Sequence, residues 1–127
     1  MCRRDDRGAA VVDFVLVSLV LVPLFLGIMQ VALVTFVRTT LTSAASEGAR
    51  YAATIDRGPA DGVARTRQQV SRAIAGHFAR DVTAEPATVD GVAGVVVHVR
   101  AVVPPLGLWG PGVALDVSGH AVKEQAP

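Results

Sequence analysis

The chain has 127 residues, one cysteine and a formal net charge of +1, with 51% apolar residues against 18% charged. That length accommodates about one domain, and the small charge gives no pull toward nucleic acid. The composition is too apolar for a disordered chain and too poor in cysteine for a disulfide scaffold.

Taken in chain order, residues 1–8 form a short basic leader with Arg3, Arg4 and Arg7. From Ala9 to Val37 the only charged residue is Asp13, and the milder polar positions are Ser18, Gln30 and Thr35. A bilayer-spanning helix needs about 20 apolar residues, so this run predicts a transmembrane helix over 9–37. A soluble helix apolar on all faces needs a larger protein around it than this chain supplies. A secretory signal has an apolar core of only about 7–15 residues. A lipoprotein would carry its cysteine after such a run, whereas Cys2 precedes it and reads as an inert cytoplasmic thiol. Arginines crowd the N-terminal flank, so the positive-inside rule puts the N-terminus in the cytoplasm and the rest outside. Pro23 removes one backbone hydrogen bond and is expected to bend the helix, and Gly27, one turn on, allows close packing.

After Arg38 the residues become small and polar. Leu41, Ala44, Ala45, Gly48 and Ala52 recur at helical spacing, which predicts that the helix leaves the membrane and continues over 38–55. Its small face suits either a neighbouring subunit or the protein's own head. Glu47 and Arg50, three apart, are placed to pair on the exposed side. Asp56 to Gly62 is a turn. A second helix is expected near 60–80, with Asp61 or a neighbour as cap. Its apolar stripe is Val63, Val70, Ile74 and Phe78, and Arg65, Arg67, Arg72 and Arg80 mark a solvated side. A basic helix lying on an anionic membrane is the alternative.

Beyond Asp81 the period changes to two. Val95 to Val103 reads as a strand, with Val97, Val99, Ala101 and Val103 on one face and His98 and Arg100 on the other. Val113 to Val122 repeats the pattern, with Leu115, Val117 and Ala121 opposite Asp116, Ser118 and His120. A weaker strand over Val82 to Val89 closes at Asp90-Gly91. The loop from Pro104 to Gly112 holds the only tryptophan, Trp109. It is either a lid over the sheet or a contact loop for a partner or the membrane interface. The fold expected is α+β: a long N-terminal transmembrane helix, then a small extracytoplasmic head over 56–127 with one helix and a short antiparallel sheet.

No phosphate-binding glycine loop, His-Glu-x-x-His pattern or cysteine cluster is present. His77 reads as a surface residue. His98 and His120 can be cross-strand neighbours, but no third metal ligand accompanies them. No enzymatic activity, cofactor, metal, nucleic acid or small-molecule substrate is expected.

Asp13 is the residue that demands a reason, because an acid in a membrane helix usually has a partner or a task. One answer is an interfacial position near the positive helix N-terminus. Another follows from its surroundings. The segment Arg7-Gly8-Ala9-Ala10-Val11-Val12-Asp13-Phe14, the apolar run with Pro23 and Gly27, and Glu47-Gly48-Ala49-Arg50-Tyr51-Ala52-Ala53 resemble the TadE-like group of type IV pilin-like proteins. The resemblance covers about the first 50 residues. Position 13 is Asp where the family more often has Glu, and position 14 is Phe where some relatives have Tyr.

The resemblance implies a minor pilin-like or pseudopilin subunit of a tight-adherence pilus or related secretion apparatus. It implies that a prepilin peptidase cuts between Gly8 and Ala9. Asp13, beside Phe14, would then pair with the new amine of Ala9 on a neighbouring subunit, and a paired charge is tolerated where a lone one is penalised. Gly27, Ala44, Ala45 and Gly48 would serve helix packing. Other pilin-like subunits, a membrane platform protein and an assembly ATPase are the partners implied. The alternative is an uncleaved single-span anchor displaying a binding head.

Overall fold

The computed structural model describes residues 3–106 and 110–125, with side chains from Asp6 onward. Cys2 and Trp109, both singled out by the sequence, lie outside the described residues. The first helix, α1, runs unbroken from Arg3 to Ala53. Helix α2 spans Pro59–Ala73, and a short 3-10 turn follows at Gly76–Ala79. Strands β1 (Asp81–Val89), β2 (Val92–Val103) and β3 (Val113–Val122) form an antiparallel sheet in the order β1-β2-β3. The architecture is α+β, as the patterning predicts.

The helix α1 has two environments. From Ala9 to Met29 nearly every residue is exposed, and the apolar side chains there have no partner within the chain. This stretch is long and apolar enough to cross a membrane, which accounts for its exposed surface: in lipid an all-apolar helix needs no protein cover. The helix continues through Pro23 without a break in assignment. Beyond Leu33 one side is covered. Val37, Leu41, Ala44, Ala45, Gly48, Ala49 and Ala52 are buried, a stripe at helical spacing.

That stripe meets the inner face of the sheet and α2. Val97, Val99 and Val103 of β2, Val82 of β1, and Leu115 and Val117 of β3 complete the core. The register pairs Val99 with Val82 on one side and Val117 on the other, so inner-face residues align across all three strands. Asp90 (φ 50°) and Gly91 (φ 81°) both adopt positive φ and make the two-residue turn that joins β1 to β2. Pro86 sits in β1, which is an edge strand and tolerates a residue without an N–H.

Two boundaries differ from the sequence reading by three residues or more. The expected helix over 60–80 stops at Ala73. Ala75 is extended (φ −146°, ψ 145°), and the break turns Phe78 and Ala79 into the core below the sheet. Strand β2 starts at Val92, three residues before the predicted Val95, because the tight turn pairs Val89 directly with Val92. Asp61 does serve the helix start: its carboxylate accepts the Gly58 N–H at 2.9 Å. This satisfies a backbone donor and puts negative charge at the positive end of the helix.

Strand β2 runs back along α1. Its beginning lies near the outer end of the helix, where the Lys123 N–H reaches Ala93 O at 2.9 Å and the Glu124 N–H reaches Ala53 O at 2.8 Å. Its end lies beside Gln30, whose side chain bonds both Pro104 and Leu106. Pro104 and Leu106, just beyond the end of β2, therefore lie beside the apolar stretch of α1.

Candidate processing and assembly surface

The residues singled out for processing and assembly lie on the uncovered half of α1. Gly8 and Ala9 are helical and exposed, with nothing within 4 Å of a side chain placed at Gly8. Asp13 is exposed, as are Phe14 at 74% and Gly27. From Ala9 to Asp13 is about one helical turn, so the two share a face. Asp13 makes no hydrogen bond or ion pair among the described residues. It is the sole charged residue between Ala9 and Val37, a run made mostly of Val, Leu, Phe and Ile.

Ala44, Ala45 and Gly48 occupy a different environment. They are buried against the protein's own α2 and sheet. At Gly48 the two helix backbones nearly touch. A Cβ there would overlap Thr66 Oγ1 and lie 2.8 Å from the Gly62 carbonyl oxygen. A Cβ at Gly62 would lie 2.8 Å from the Ala52 Cβ and 2.9 Å from the Gly48 oxygen. Thr66 is fully buried, and its hydroxyl donates to Gly62 O at 2.8 Å. Glycine at both positions is what lets α1 and α2 approach this closely. On the other side, a Cβ at Gly119 of β3 would overlap the backbone of Ala45 and Ser46. The small-residue stretch of α1 thus packs inside the head, while Gly27 is left open on the spanning part.

Gly62, Thr66 and Gly119 leave no mark in the apolar periodicity, because close approach selects for small residues and not for hydrophobic ones. The spacing Gly62-Thr66-Val70, four apart, is the signal that reveals the buried face of α2.

Polar groups on the head pair across elements. Glu47 pairs with Arg65 of α2 at 2.7 Å, not with Arg50 as expected. The Arg65 hydrogen bond holds the Glu47 carboxyl below its ordinary range. This draws Arg65 out of the solvated arginine face predicted for α2, and its guanidinium lies 5.6 Å from the Tyr51 ring. Arg57 stacks on the same ring at 3.8 Å. On the outer sheet face, Arg100 pairs with Asp116 at 3.3 Å, and His98 lies 3.6 Å from Glu85. His98 is opposite Ser118, and His120 is opposite Val96, so the two histidines are diagonal neighbours. Among the described residues no three His, Cys, Asp or Glu side chains converge on a metal position.

Residues 8–50 match the family model described as TadE-like protein. The match begins at Gly8, takes in Asp13, and ends at Arg50. It covers most of the segment on which the sequence resemblance rests, leaving out Arg7 and Tyr51 to Ala53, and stops before α2. This family points to tight-adherence pilus assembly. Comparison with curated proteins found no match, and neither did comparison with solved structures. The match lies wholly on α1, whose apolar stretch is long and apolar enough to cross a membrane.

Proposed function

We propose that this protein is a minor pilin-like structural subunit that supports assembly of a tight-adherence pilus or the related secretion apparatus. The observation that carries the reading is Asp13: an exposed, unpaired carboxylate on an apolar helix, one turn after Gly8-Ala9, inside the matched segment. A prepilin peptidase cuts after Gly8 from the cytoplasmic side. Cutting creates an α-amino group at Ala9 and leaves Asp13 as the fifth residue. The carboxylate then pairs with such an amine on a neighbouring subunit as the helices bundle, with Phe14 and Gly27 in the contact. Pairing removes the penalty that each charge would carry alone in an apolar bundle. The head stays on the extracytoplasmic side of the bacterial cytoplasmic membrane, or on the surface of the pilus. Partners are the peptidase, other pilin-like subunits, a membrane platform protein and an assembly ATPase. The role is structural, without a substrate or cofactor.

An uncut membrane anchor is the competing reading, supported by the continuity of α1 across Gly8 and Ala9. The N-terminal mass of the membrane-extracted protein separates the two. Cells with the matching peptidase should yield a terminus at Ala9, and cells without it the full leader. Gly8→Asp should abolish the difference. An intact leader in both strains would overturn the cleavage step and leave the anchor.

A further inference from the structure

We propose that the tip segment Pro104–Leu106, with the adjoining strand ends Val102 and Val113, is a membrane-contact element, seated in the lipid interface on the head's side of the bilayer. This rests on α1 spanning the membrane and needs neither cleavage nor assembly. Its position follows from Gln30. The Gln30 side chain donates to Pro104 O at 3.4 Å and accepts the Leu106 N–H at 2.8 Å. The tip is thereby held at the depth of Gln30 on the helix. From Ala9 to Gln30 an α-helix rises about 32 Å, which matches a hydrocarbon core about 30 Å thick. With Ala9 at one boundary, Gln30 and the tip lie at the other. Arg38, exposed about 12 Å further along the helix, then reaches headgroup level.

The tip has the chemistry for that place. Pro104, Pro105 and Leu106 are exposed, as are Val102 and Val113 at the adjoining strand ends. None of these five carries a charge or a polar side chain. Backbone polar groups near hydrocarbon must be satisfied within the protein. The two prolines have no N–H to satisfy. The next one in the chain, on Leu106, is taken by Gln30, which also covers the Pro104 carbonyl. One amide side chain thus covers two backbone polar groups of this segment beside the membrane helix. The exposed apolar residues of this segment are held beside the apolar stretch of α1 by Gln30, so lipid that covers one reaches the other.

Nitroxide accessibility in reconstituted protein tests this. In a Cys2→Ser background a single label is attached at Leu106→Cys, Asp90→Cys or Val20→Cys, in vesicles of zwitterionic phospholipid. Position 90 is at the far end of the sheet and position 20 is within the span. The ratio of collisions with oxygen to collisions with a water-soluble nickel chelate should be several-fold higher at 106 than at 90. Gln30→Ala should lower the ratio at 106. A ratio at 106 equal to that at 90 would overturn the proposal, and so would a label at 106 shielded from both reagents, which marks a protein contact. An unchanged ratio in Gln30→Ala would overturn the role of Gln30. A water-like ratio at Val20→Cys would instead refute the span itself.

Discussion

Gly48→Ala should destabilise the head, although alanine is the better helix former. In an ordinary helix the change gains about 1 kcal/mol. Here the added methyl would overlap Thr66 Oγ1 and lie 2.8 Å from the Gly62 carbonyl oxygen. Neither can yield easily: one is backbone, and Thr66 is fully buried and tied to Gly62 O. Overpacking of this kind costs about 1–3 kcal/mol. The propensity gain counts only if α1 unwinds when the head unfolds. A membrane-anchored helix retains much of its structure, so the gain is small. The net loss expected is about 1–2 kcal/mol, near the middle of the overpacking range. For a head of this size that corresponds to a fall in Tm of about 4–8 °C per kcal/mol. Urea-dependent pulse proteolysis of detergent-solubilised protein measures it, since trypsin reaches the α2 backbone at Arg67 and Arg72 when the head opens. Thr66→Ala supplies the second arm. In the double variant the overlap with Oγ1 is gone, so the two losses should sum to more than the double variant's loss, by about 0.5–1 kcal/mol or more. A stabilised Gly48→Ala, or strict additivity with Thr66→Ala, would refute the close-contact argument.

Gly119→Ala should be worse than Gly48→Ala, at more than about 2 kcal/mol, because the new methyl meets only α1 backbone; the same proteolysis assay reads it. Glu47→Gln tests the α1–α2 ion pair. The Glu47 carboxyl is lowered by Arg65, so its contribution is present above the ordinary carboxylate range and is lost as pH falls through its lowered value. Because both partners are partly exposed, the expected cost is only about 0.2–1 kcal/mol at neutral pH. Urea midpoints of variant and parent should differ at pH 7, and the difference should shrink as the pH is lowered to 3. Asp13→Asn should leave membrane extraction unchanged and abolish recovery of the protein in sheared surface filaments, with Asp13→Glu retaining it. Equal incorporation of Asp13→Asn would remove Asp13 from assembly.

Much of this protein is determined locally, and those parts could be read from the sequence. The long apolar helix is legible because unbroken apolarity over about 20 residues is a signal carried by composition alone, regardless of tertiary context. Strand β3 matches its expected bounds, Val113–Val122, and the Asp90-Gly91 turn falls where it was placed, because alternation and positive-φ residues are signals carried by adjacent positions. Asp13 stands out by composition alone, as does its spacing from Gly8. Only the tertiary structure decided which neighbour each face meets. The small stretch around Ala44, Ala45 and Gly48 suited a partner subunit or the protein's own head equally well, and it is α2 and β3 that cover it. Glu47 chose Arg65 over Arg50, eighteen residues away instead of three, because the glycine crossing brings α2 within reach. Gln30 was only a mild polar interruption in an apolar run until the hairpin tip came back beside it, 74 and 76 positions later in the chain. Periodicity reports which side of an element is apolar. It carries no record of what lies across the gap, since that depends on how close two backbones can come.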